Sequence, residues 1–317
     1  MLINNPNLFT ANVHIIGVGT SGQFAVDHFI KNELFPEAHY TVMNTNSKYI
    51  DYFKAVPSVI LGKKALGGLG TGGDIKLGSQ AVDESKQEII DHLDQNQDDI
   101  VIIIGGVGRG TGSTAIPVIS QIARDNGAIV LTFLRTPFKF EGVHVNRIAE
   151  EALEKIRSIA HGTVALPSQY LIEKLEGNTS FHRCLTIGNE IIADSVKSVL
   201  SIISEHGYIN IDFNDLKSLV NESEGIYIGS GKADGKRYIE DALLGAVQNP
   251  LVKDRLENVK GMIVKVRMST EEQFETIEKV MNYLGDFVSD DARVKIGASF
   301  EESMKSGELE VQLVAGV

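Results

Sequence analysis

Six short apolar runs recur through the first half of the chain, and segments with helical spacing, such as residues 84–93 and 115–126, separate them. Runs that are apolar throughout are typical of strands buried on both faces, as in parallel sheets. The pattern predicts an α/β fold with a doubly wound parallel sheet, in which ligands bind beyond the carboxyl ends of the strands. The predicted strands lie at residues 12–17, 40–44, 58–62, 99–106, 128–134 and 162–167.

The pattern changes near Leu185. A long helical segment follows over residues 185–207, and Gly207 is a candidate for its C-terminal cap. Beyond it, segments that alternate like half-exposed strands are mixed with two helical stretches, which predicts a smaller α+β domain. We therefore divide the chain into residues 1–184, a central helix at 185–207, and residues 208–317. The late strands are predicted at 224–231, 260–268, 292–300 and 308–317, and the helices at 235–247 and 270–284.

Composition restricts the class of protein. The formal net charge of −12 argues against direct nucleic-acid binding, because nucleic-acid binders release counterions through Lys and Arg contacts to phosphate. A single cysteine, Cys184, excludes an internal disulfide and a multi-cysteine metal site, and a small buried side chain is expected there. With neither a signal-peptide pattern nor an apolar run of about 18 residues, we expect a cytoplasmic protein without direct membrane insertion.

Three glycine-rich turns, at residues 17–22, 66–74 and 105–114, fall at predicted strand ends. Glycine lets successive backbone N–H groups converge on an anion at a helix N-terminus, so the three turns predict a polyphosphate site. The G-x-G-x-x-G spacing of the first turn also fits a nicotinamide-dependent oxidoreductase. That enzyme needs an acidic residue about 20 positions on, where the second predicted strand instead ends in Asn44-Thr45-Asn46. No Walker loop, G-x-S-x-G elbow or zinc-type histidine spacing occurs.

Several segments, in the order that the family has them, resemble the tubulin/FtsZ superfamily, and bacterial FtsZ most of all. "GGVGRGTGS" is similar to the superfamily signature G-G-G-T-G-[ST]-G, and the segments around "GVGTSG", "NTNS" and "GLGTGGD" resemble the other nucleotide loops. "TPFKFEG" and "NIDFNDLKSLV" resemble two further FtsZ segments, so the resemblance spans nearly the whole chain. It implies a GTP-binding domain, a long central helix and a smaller C-terminal domain.

The resemblance also implies the site residues. GTP or GDP with Mg²⁺ would bind one subunit, and an acidic loop from the next subunit would complete hydrolysis. That loop would supply Asp212 and Asp215, with Asn210 beside them; read without the family, Asp212 is a helix cap and Asp215 lies in the first turn. The nucleotide would contact Gly19, Thr20, Ser21, Gly22, Asn44, Thr71, Gly72, Gly73, Gly106, Gly108, Arg109, Gly110, Thr111, Gly112, Glu141 (ribose) and Asn189 (guanine edge).

Some positions depart from the family pattern. Phe24 replaces a residue that reaches the base, and Leu185 stands where an aromatic ring commonly stacks on guanine. Arg109 replaces a signature glycine, so that Arg109 or Arg135 is a candidate for positive charge near the phosphates. Asn46 replaces an aspartate near the magnesium site, which leaves the metal ligands unassigned.

The resemblance implies a GTPase that polymerises head-to-tail into filaments in prokaryotic cell division, with GTP hydrolysis completed by the neighbouring subunit. A partition filament of the plasmid or phage type is the alternative within the superfamily, and the oxidoreductase is the alternative from another class. A nucleotide-binding regulator without hydrolysis is a third, which the presence of Asp212 and Asp215 disfavours. The expected partners are other copies of the chain and an adaptor or membrane-tether protein.

Overall fold

The computed structural model describes residues 11–52, 56–95, 97–174, 179–204, 209, 211–223, 225–248, 256 and 259–316. The chain forms two compact units, and the division falls between Ala193 and Asp194. The first unit runs from Ala11 to Ala193, and the second continues from Asp194.

The first unit contains a six-stranded parallel sheet with the order β3-β2-β1-β4-β5-β6. This confirms the predicted doubly wound sheet. The strand order reverses between β1 and β4, and such a switch point is where ligands bind in open α/β sheets. The strands are β1 (Val13–Val18), β2 (His39–Asn44), β3 (Ser58–Ile60), β4 (Ile100–Gly106), β5 (Ile129–Thr136) and β6 (Gly162–Pro167).

Within the described residues, seven α-helices begin in the first unit, and the last of them continues past Ala193 into the second. Two start well before the segments predicted from helical spacing: Asp74 caps α3 by accepting hydrogen bonds from Lys76 N and Leu77 N, and α4 begins at Gly110 within its glycine-rich turn. The helices are α1 (Gly19–Lys31), α2 (Ser47–Tyr52), α3 (Ile75–Asp94), α4 (Gly110–Asp125), α5 (Val143–Arg157), α6 (Ser168–Lys174) and α7 (Phe181–Ser204).

The core of the first unit is built on the central strands. Ile102, Ile103 and Ile104 of β4 are all essentially inaccessible to solvent, although neighbouring side chains on a strand point to opposite faces. Both faces of the sheet are therefore covered, as the continuous apolar runs predict.

The second unit contains a four-stranded sheet with the order β7-β10-β8-β9. β10 is antiparallel to both of its neighbours, and β8 and β9 are parallel. The strands are β7 (Ile226–Asp234), β8 (Val259–Met268), β9 (Val288–Phe300) and β10 (Glu308–Gly316), and the helices of this unit are α8 (Phe213–Asn221), α9 (Tyr238–Val247) and α10 (Phe274–Gly285).

The expectation that these late strands are half exposed is wrong for β8 and β10, which are buried along most of their length. Even Lys265 and Gln312 are at most 2% exposed. The side chain of Lys265 donates to the backbone oxygen of Ser201, and Ser201 also donates to Gln312. Internal partners thus allow polar residues to alternate with apolar ones inside the unit.

The long helix α7 begins at Phe181, four residues before the segment predicted from sequence. The predicted cap at Gly207 lies outside the described residues. Among the described helices, none has both the length and the apolar character needed to cross a bilayer.

Candidate functional site

A cavity of about 760 Å³ lies beyond the carboxyl ends of the parallel strands in the first unit. Segments that follow β1, β2, β4 and β5 form its walls, together with the turn before α3. The three glycine-rich turns therefore meet at one edge of the sheet, where the fold class places ligands.

The N-termini of α1 and α4 lie at this edge, and neither has a side-chain cap. The residues that precede them, Val18 and Arg109, make no capping hydrogen bond with their side chains. The first turn of an α-helix has backbone N–H groups without partners inside the helix, and the helix dipole favours negative charge there. A bound phosphate supplies both the acceptor oxygens and the charge.

Close packing explains why glycine is required in the turn before α4. A Cβ atom on Gly112 would lie 1.9 Å from the backbone oxygen of Gly106, and one on Gly110 would lie 2.4 Å from that of Asp74. Gly108 has a φ of +104°, which side chains of L-residues rarely allow. Its N–H donates to Ser113 Oγ at 2.8 Å, so this amide stabilises the turn itself.

Polar side chains tie the end of β2 to α1 and to the first turn of α4. The hydroxyls of Thr45 and Thr111 are 2.8 Å apart. Asn44 is buried and donates from its side-chain amide to Gln23. These bonds fix the turns before any ligand arrives, which reduces the entropy lost on binding.

The predicted ribose contact, Glu141, is held by two groups. Its Oε2 accepts from Arg109 Nη2 at 2.7 Å, and its Oε1 accepts from Phe138 N at 3.0 Å. Arg109 is 69% exposed along its side chain. The guanidinium therefore spans from the α4 turn to the wall that carries Glu141, and it is accessible to a ligand that enters the cavity.

Arg135 holds the residue predicted to contact guanine. Its Nη2 donates to Asn189 Oδ1 at 2.7 Å and to the backbone oxygen of Leu185 at 2.8 Å. Burial lowers the pKa of Arg135 to about 10, and the nearby Cys184 opposes that shift. The guanidinium remains charged at neutral pH and fixes the orientation of the Asn189 amide.

Three phenylalanines form an aromatic wall that the sequence-based site did not include. Phe138 stacks on Phe140 with ring centroids 4.9 Å apart, and the ring of Phe181 lies 5.9 Å from that of Phe138. All three line the cavity with Leu185. Because Phe181 is one helical turn before Leu185 in α7, it provides a ring close to the position where the family pattern expects one. Phe138 and Phe140 lie within the quoted segment "TPFKFEG", so that segment contained the signal.

Most of the sequence-predicted nucleotide contacts do line this cavity. Gly22, Gly108, Gly110 and Asn189 are not among the lining residues, and the first three instead shape the turns behind it. The predicted residues that line the cavity are Gly19, Thr20, Ser21, Asn44, Thr71, Gly72, Gly73, Gly106, Arg109, Thr111, Gly112 and Glu141.

The predicted catalytic carboxylates belong to the second unit, at the start of α8. Asp212 Oδ1 accepts from Asp215 N at 2.9 Å, and Asp215 Oδ2 accepts from Asp212 N at 3.3 Å, which confirms the predicted cap. Asp215 also forms an ion pair with Lys295 of β9, a partner that the sequence did not indicate. Asp212 is exposed, whereas the side chain of Asp215 is only 14% exposed. Asn210 lies outside the described residues.

The residues of the cavity provide few ligands for a metal ion. Glu141 is the one carboxylate among the cavity's described lining residues, and it is paired with Arg109. Across the described part of the chain, no group of three or more His, Cys, Asp or Glu side chains is arranged to hold a metal. A divalent cation at this edge would depend mainly on oxygens that a ligand brings.

Comparison with known families agrees with this geometry. Residues 12–176 match the model of the tubulin/FtsZ family GTPase domain, and residues 225–317 match that of the FtsZ family C-terminal domain. The chain belongs to the tubulin/FtsZ family. The first match lies within the first unit and the second match within the second unit. The GTPase-domain match includes all three glycine-rich turns of the cavity.

Curated relatives of this tubulin/FtsZ chain carry the name of cell division protein FtsZ. The chain is 30% identical to that of Magnetospirillum gryphiswaldense over 99% of its own length, but spans only 55% of that relative. It is also 30% identical to that of Pseudomonas aeruginosa, over 96% of this chain and 77% of the relative. The cell-division name thus recurs among relatives of different length.

Solved structures extend the similarity to the fold. A structure titled as an empty FtsZ dimer from M. jannaschii aligns with a TM-score of 0.82 and 27% identity, over 97% of this chain and 88% of that one. CetZ2 from Haloferax volcanii, in a GTPγS-bound protofilament, aligns with a TM-score of 0.76 over 96% and 92% of the chains. At 19% identity, the CetZ2 match concerns the fold alone.

Proposed function

We propose that this tubulin/FtsZ chain is a GTPase that polymerises head-to-tail into filaments, that the neighbouring subunit completes hydrolysis, and that the filament acts in prokaryotic cell division. The observation that carries the proposal is the cavity at the switch point of the sheet, with its two uncapped helix N-termini. The names of the curated relatives favour cell division over a partition role.

The phosphates of GTP would lie on the glycine-rich turns, and the base would lie toward the aromatic wall. The N-termini of α1 and α4 supply donors and positive dipole ends for the phosphates. The exposed rings of Phe140 and Phe181 offer faces to a purine, and the buried Phe138 supports Phe140 from behind. Arg109 can exchange its contact with Glu141 for one with phosphate, because its exposed side chain has room to move.

The neighbouring subunit would bring the hydrolytic carboxylate, Asp212. An exposed carboxylate can orient and polarise the water that attacks the terminal phosphate. Asp215 is held by Lys295 and by the cap, so it is better suited to positioning the loop than to accepting a proton. Supplying this group from another subunit makes turnover depend on assembly, and a head-to-tail contact whose rotation does not close extends into a filament.

Mg²⁺ would act through the nucleotide. Magnesium usually keeps several waters and binds substrate phosphates together with one or two carboxylates. Among the lining residues that the structure describes, Glu141 is the one carboxylate and it is engaged by Arg109, so the phosphates of GTP would be the main ligands. When bound, the cation neutralises charge on the phosphates during transfer. An adaptor or tether protein would connect the filament to its site of action.

The first experiment measures right-angle light scattering and phosphate release together, with GTP, GDP, ATP or NADH, for the wild type and Asp212→Asn. Asparagine is also a good N-cap, so this change removes the charge and keeps the helix cap. We expect scattering that rises with GTP and decays as phosphate is released. In the variant, phosphate release should fall at least about 100-fold and the polymer should persist, because acid–base assistance is lost.

Asp286→Asn is the matched control, since Asp286 is an exposed aspartate at the end of α10 in the same unit. It should behave as the wild type. Monomer at every nucleotide and concentration would contradict the filament. Tight NADH binding, without an increase in scattering and without phosphate release, would favour the oxidoreductase alternative. An unchanged rate of phosphate release in Asp212→Asn would contradict the hydrolytic role of Asp212.

A further inference from the structure

A second cavity, of about 640 Å³, lies at the opposite edge of the parallel sheet. It is formed where β1 and β2 begin and where α1 and α3 end, and part of its wall is apolar. Its polar wall carries three imidazoles, His14, His39 and His92, which is a concentration of titratable groups that nucleotide chemistry at the other edge does not use.

Two of these histidines belong to a buried chain of hydrogen bonds. Asp98 Oδ2 lies 2.6 Å from His14 Nδ1, and His14 Nε2 lies 2.8 Å from Thr41 Oγ1. Thr41 Oγ1 is in turn 2.8 Å from His92 Nε2. His14, Thr41 and Asp98 are almost inaccessible to solvent, whereas His92 is partly exposed. We call the linked residues Asp98, His14, Thr41 and His92 the relay.

Proton counting shows that the relay has two arrangements. A carboxylate accepts only, so His14 Nδ1 carries a hydrogen. The Thr41 hydroxyl has one hydrogen to donate, so one of the two Nε2 atoms must accept it and the other must donate to the oxygen. Either His92 donates from Nε2 and His14 is neutral, or His14 carries a second proton beside Asp98 and His92 accepts.

The relay therefore accommodates one positive charge with both Thr41 hydrogen bonds intact, whereas a second positive charge costs one of these bonds. With His14 charged, a proton added to His92 Nε2 would displace the Thr41 hydrogen bond. It would also place two cationic rings with centroids 5.9 Å apart. In agreement, burial lowers the pKa of His92, the charge of His14 lowers it further, and Asp98 opposes both effects.

Other ionisable groups line the same cavity. His39 and Tyr40 come from β2, and Glu33 comes from the turn after α1. The Tyr40 hydroxyl donates to the backbone oxygen of Leu34, and burial raises the pKa of Tyr40 above its ordinary value, so this group stays neutral. His39 and Glu33 are exposed, so solvent screens their effect on the relay.

The elements that meet at the relay also reach the nucleotide edge. His92 lies in the last turn of α3, and this helix of 20 residues, about 30 Å long, begins just after the Thr71–Gly73 turn. At its first turns α3 packs tightly on the α4 turn, because a Cβ on Gly78 would lie 2.5 Å from the backbone oxygen of Gly110. A contact without spare room transmits movement of α3 to the phosphate turn.

We propose that the relay is a proton-binding site, and that loading its second proton loosens the end of α3 and weakens nucleotide binding at the opposite edge. The coupling rests on the proposed function, since it requires that GTP or GDP binds the glycine-rich cavity. Binding free energies couple reciprocally, so a nucleotide that binds the singly protonated form better must also make the second proton harder to add.

The test follows the ring protons of the histidines by NMR as pH falls, with and without saturating GDP. Loss of one signal in His92→Gln identifies His92. We expect its midpoint to lie below the ordinary value near 6.5, and to fall by about 0.5 pH unit with GDP. By reciprocity this shift equals about a threefold loss of GDP affinity on protonation.

Thr41→Val removes the hydroxyl that joins the two rings. Protonation of His92 then displaces no hydrogen bond to residue 41, so its midpoint should rise above the wild-type value, although burial still lowers it, and should become insensitive to GDP. Thr41→Ser keeps a hydroxyl and should restore the wild-type behaviour, and His144→Gln, at an exposed site on α5, is the control for loss of a histidine. Because phosphates also titrate near pH 6, GDP affinity across pH is compared between wild type and Thr41→Val.

A His92 midpoint that Thr41→Val leaves unchanged would overturn the proton site. A midpoint that GDP leaves unchanged, while calorimetry shows that GDP binds, would overturn the coupling alone. If GDP fails to bind at any pH, the proposed function fails and the coupling with it, whereas the response of His92 to Thr41→Val still decides the proton site.

Discussion

At the scale of single residues, Arg109 is the side chain whose role the structure changes most. The sequence indicates it as a source of positive charge near the phosphates. The structure adds its partner, Glu141, at 2.7 Å on the opposite wall of the cavity. An arginine that bridges the cavity in this way can bind an incoming phosphate at the cost of one exposed ion pair, which contributes little by itself.

We expect Arg109→Ala to weaken GTP binding about tenfold, because one charge-assisted hydrogen bond to phosphate is lost. The reduction should be smaller for GDP, which carries less negative charge. Isothermal titration calorimetry measures both affinities. Arg147→Ala is the control, since Arg147 is an exposed arginine of α5 in the same unit. Unchanged affinity for both nucleotides would mean that Arg109 stays with Glu141.

Residue-level prediction worked where backbone chemistry limits the choice. Glycine positions such as Gly110 and Gly112 follow from turns that meet at a sheet edge, and the structure gives each a close contact. Phe181 was not predicted because its role depends on contact with Phe138 in the folded chain. It lies one helical turn from Leu185, the position that a linear comparison indicates. The Lys295 partner of Asp215 escaped because 80 residues separate the two in sequence.

At the scale of elements, His161, just before β6, joins this strand to β5 through two hydrogen bonds. His161 N donates to the backbone oxygen of Val130, and Val130 N donates to His161 Nδ1 at 2.9 Å. Burial lowers the pKa of His161 to about 4, and the charge of Arg124 adds to the shift. A proton on Nδ1 would remove the acceptor for Val130 N.

We expect His161 to make stability fall as pH falls. Its folded pKa lies below its unfolded value near 6.5, so its contribution is present above about 6.5 and is lost between about 6.5 and 4. Thermal unfolding measured across this range should show a shallower dependence on pH in His161→Gln than in the wild type. The exposed His144→Gln should leave the slope unchanged, and equal slopes in all three proteins would contradict this assignment.

Element types were predictable from sequence, whereas element starts were not. All six parallel strands were placed to within a few residues, because continuous apolar runs are a strong signal. The helices α3 and α4 start earlier than predicted. The first turn of α4 carries Gly112, which lines the cavity, and Gly78 in the first turns of α3 packs on the backbone of Gly110. A helix N-terminus that faces a ligand site carries glycine and polar residues, and so lacks the apolar spacing on which such predictions depend.

At the scale of the whole molecule, charge should govern assembly. The chain has 42 acidic and 30 basic residues, so identical subunits repel one another at long range. We expect the critical concentration for GTP-dependent assembly to fall about twofold or more between about 50 mM and 300 mM monovalent salt, because screening shortens the range of this repulsion. Sedimentation measures the polymer.

Neutral sucrose at matched osmolality is the control, and GDP affinity is followed at the same salt concentrations. A critical concentration that rises with salt, at constant affinity, would mean that ion pairs in the contact between subunits outweigh the general repulsion.

At this scale the sequence predicted the succession of an α/β and an α+β region. It did not predict the burial of Lys265 and Gln312, because polar residues on alternating strands resemble solvent-facing ones until their partners are known.

The cap at the start of α8 also bears on how this family can diverge. Two separate requirements favour an aspartate at position 212: it caps the N-terminus of α8, and in the proposed function it assists nucleotide hydrolysis. A lineage that abandoned turnover would still lose stability if most residues replaced this aspartate. Asparagine and serine keep the helix cap and remove the carboxylate, so through either residue a filament that hydrolyses nucleotide could become a static one without first losing stability.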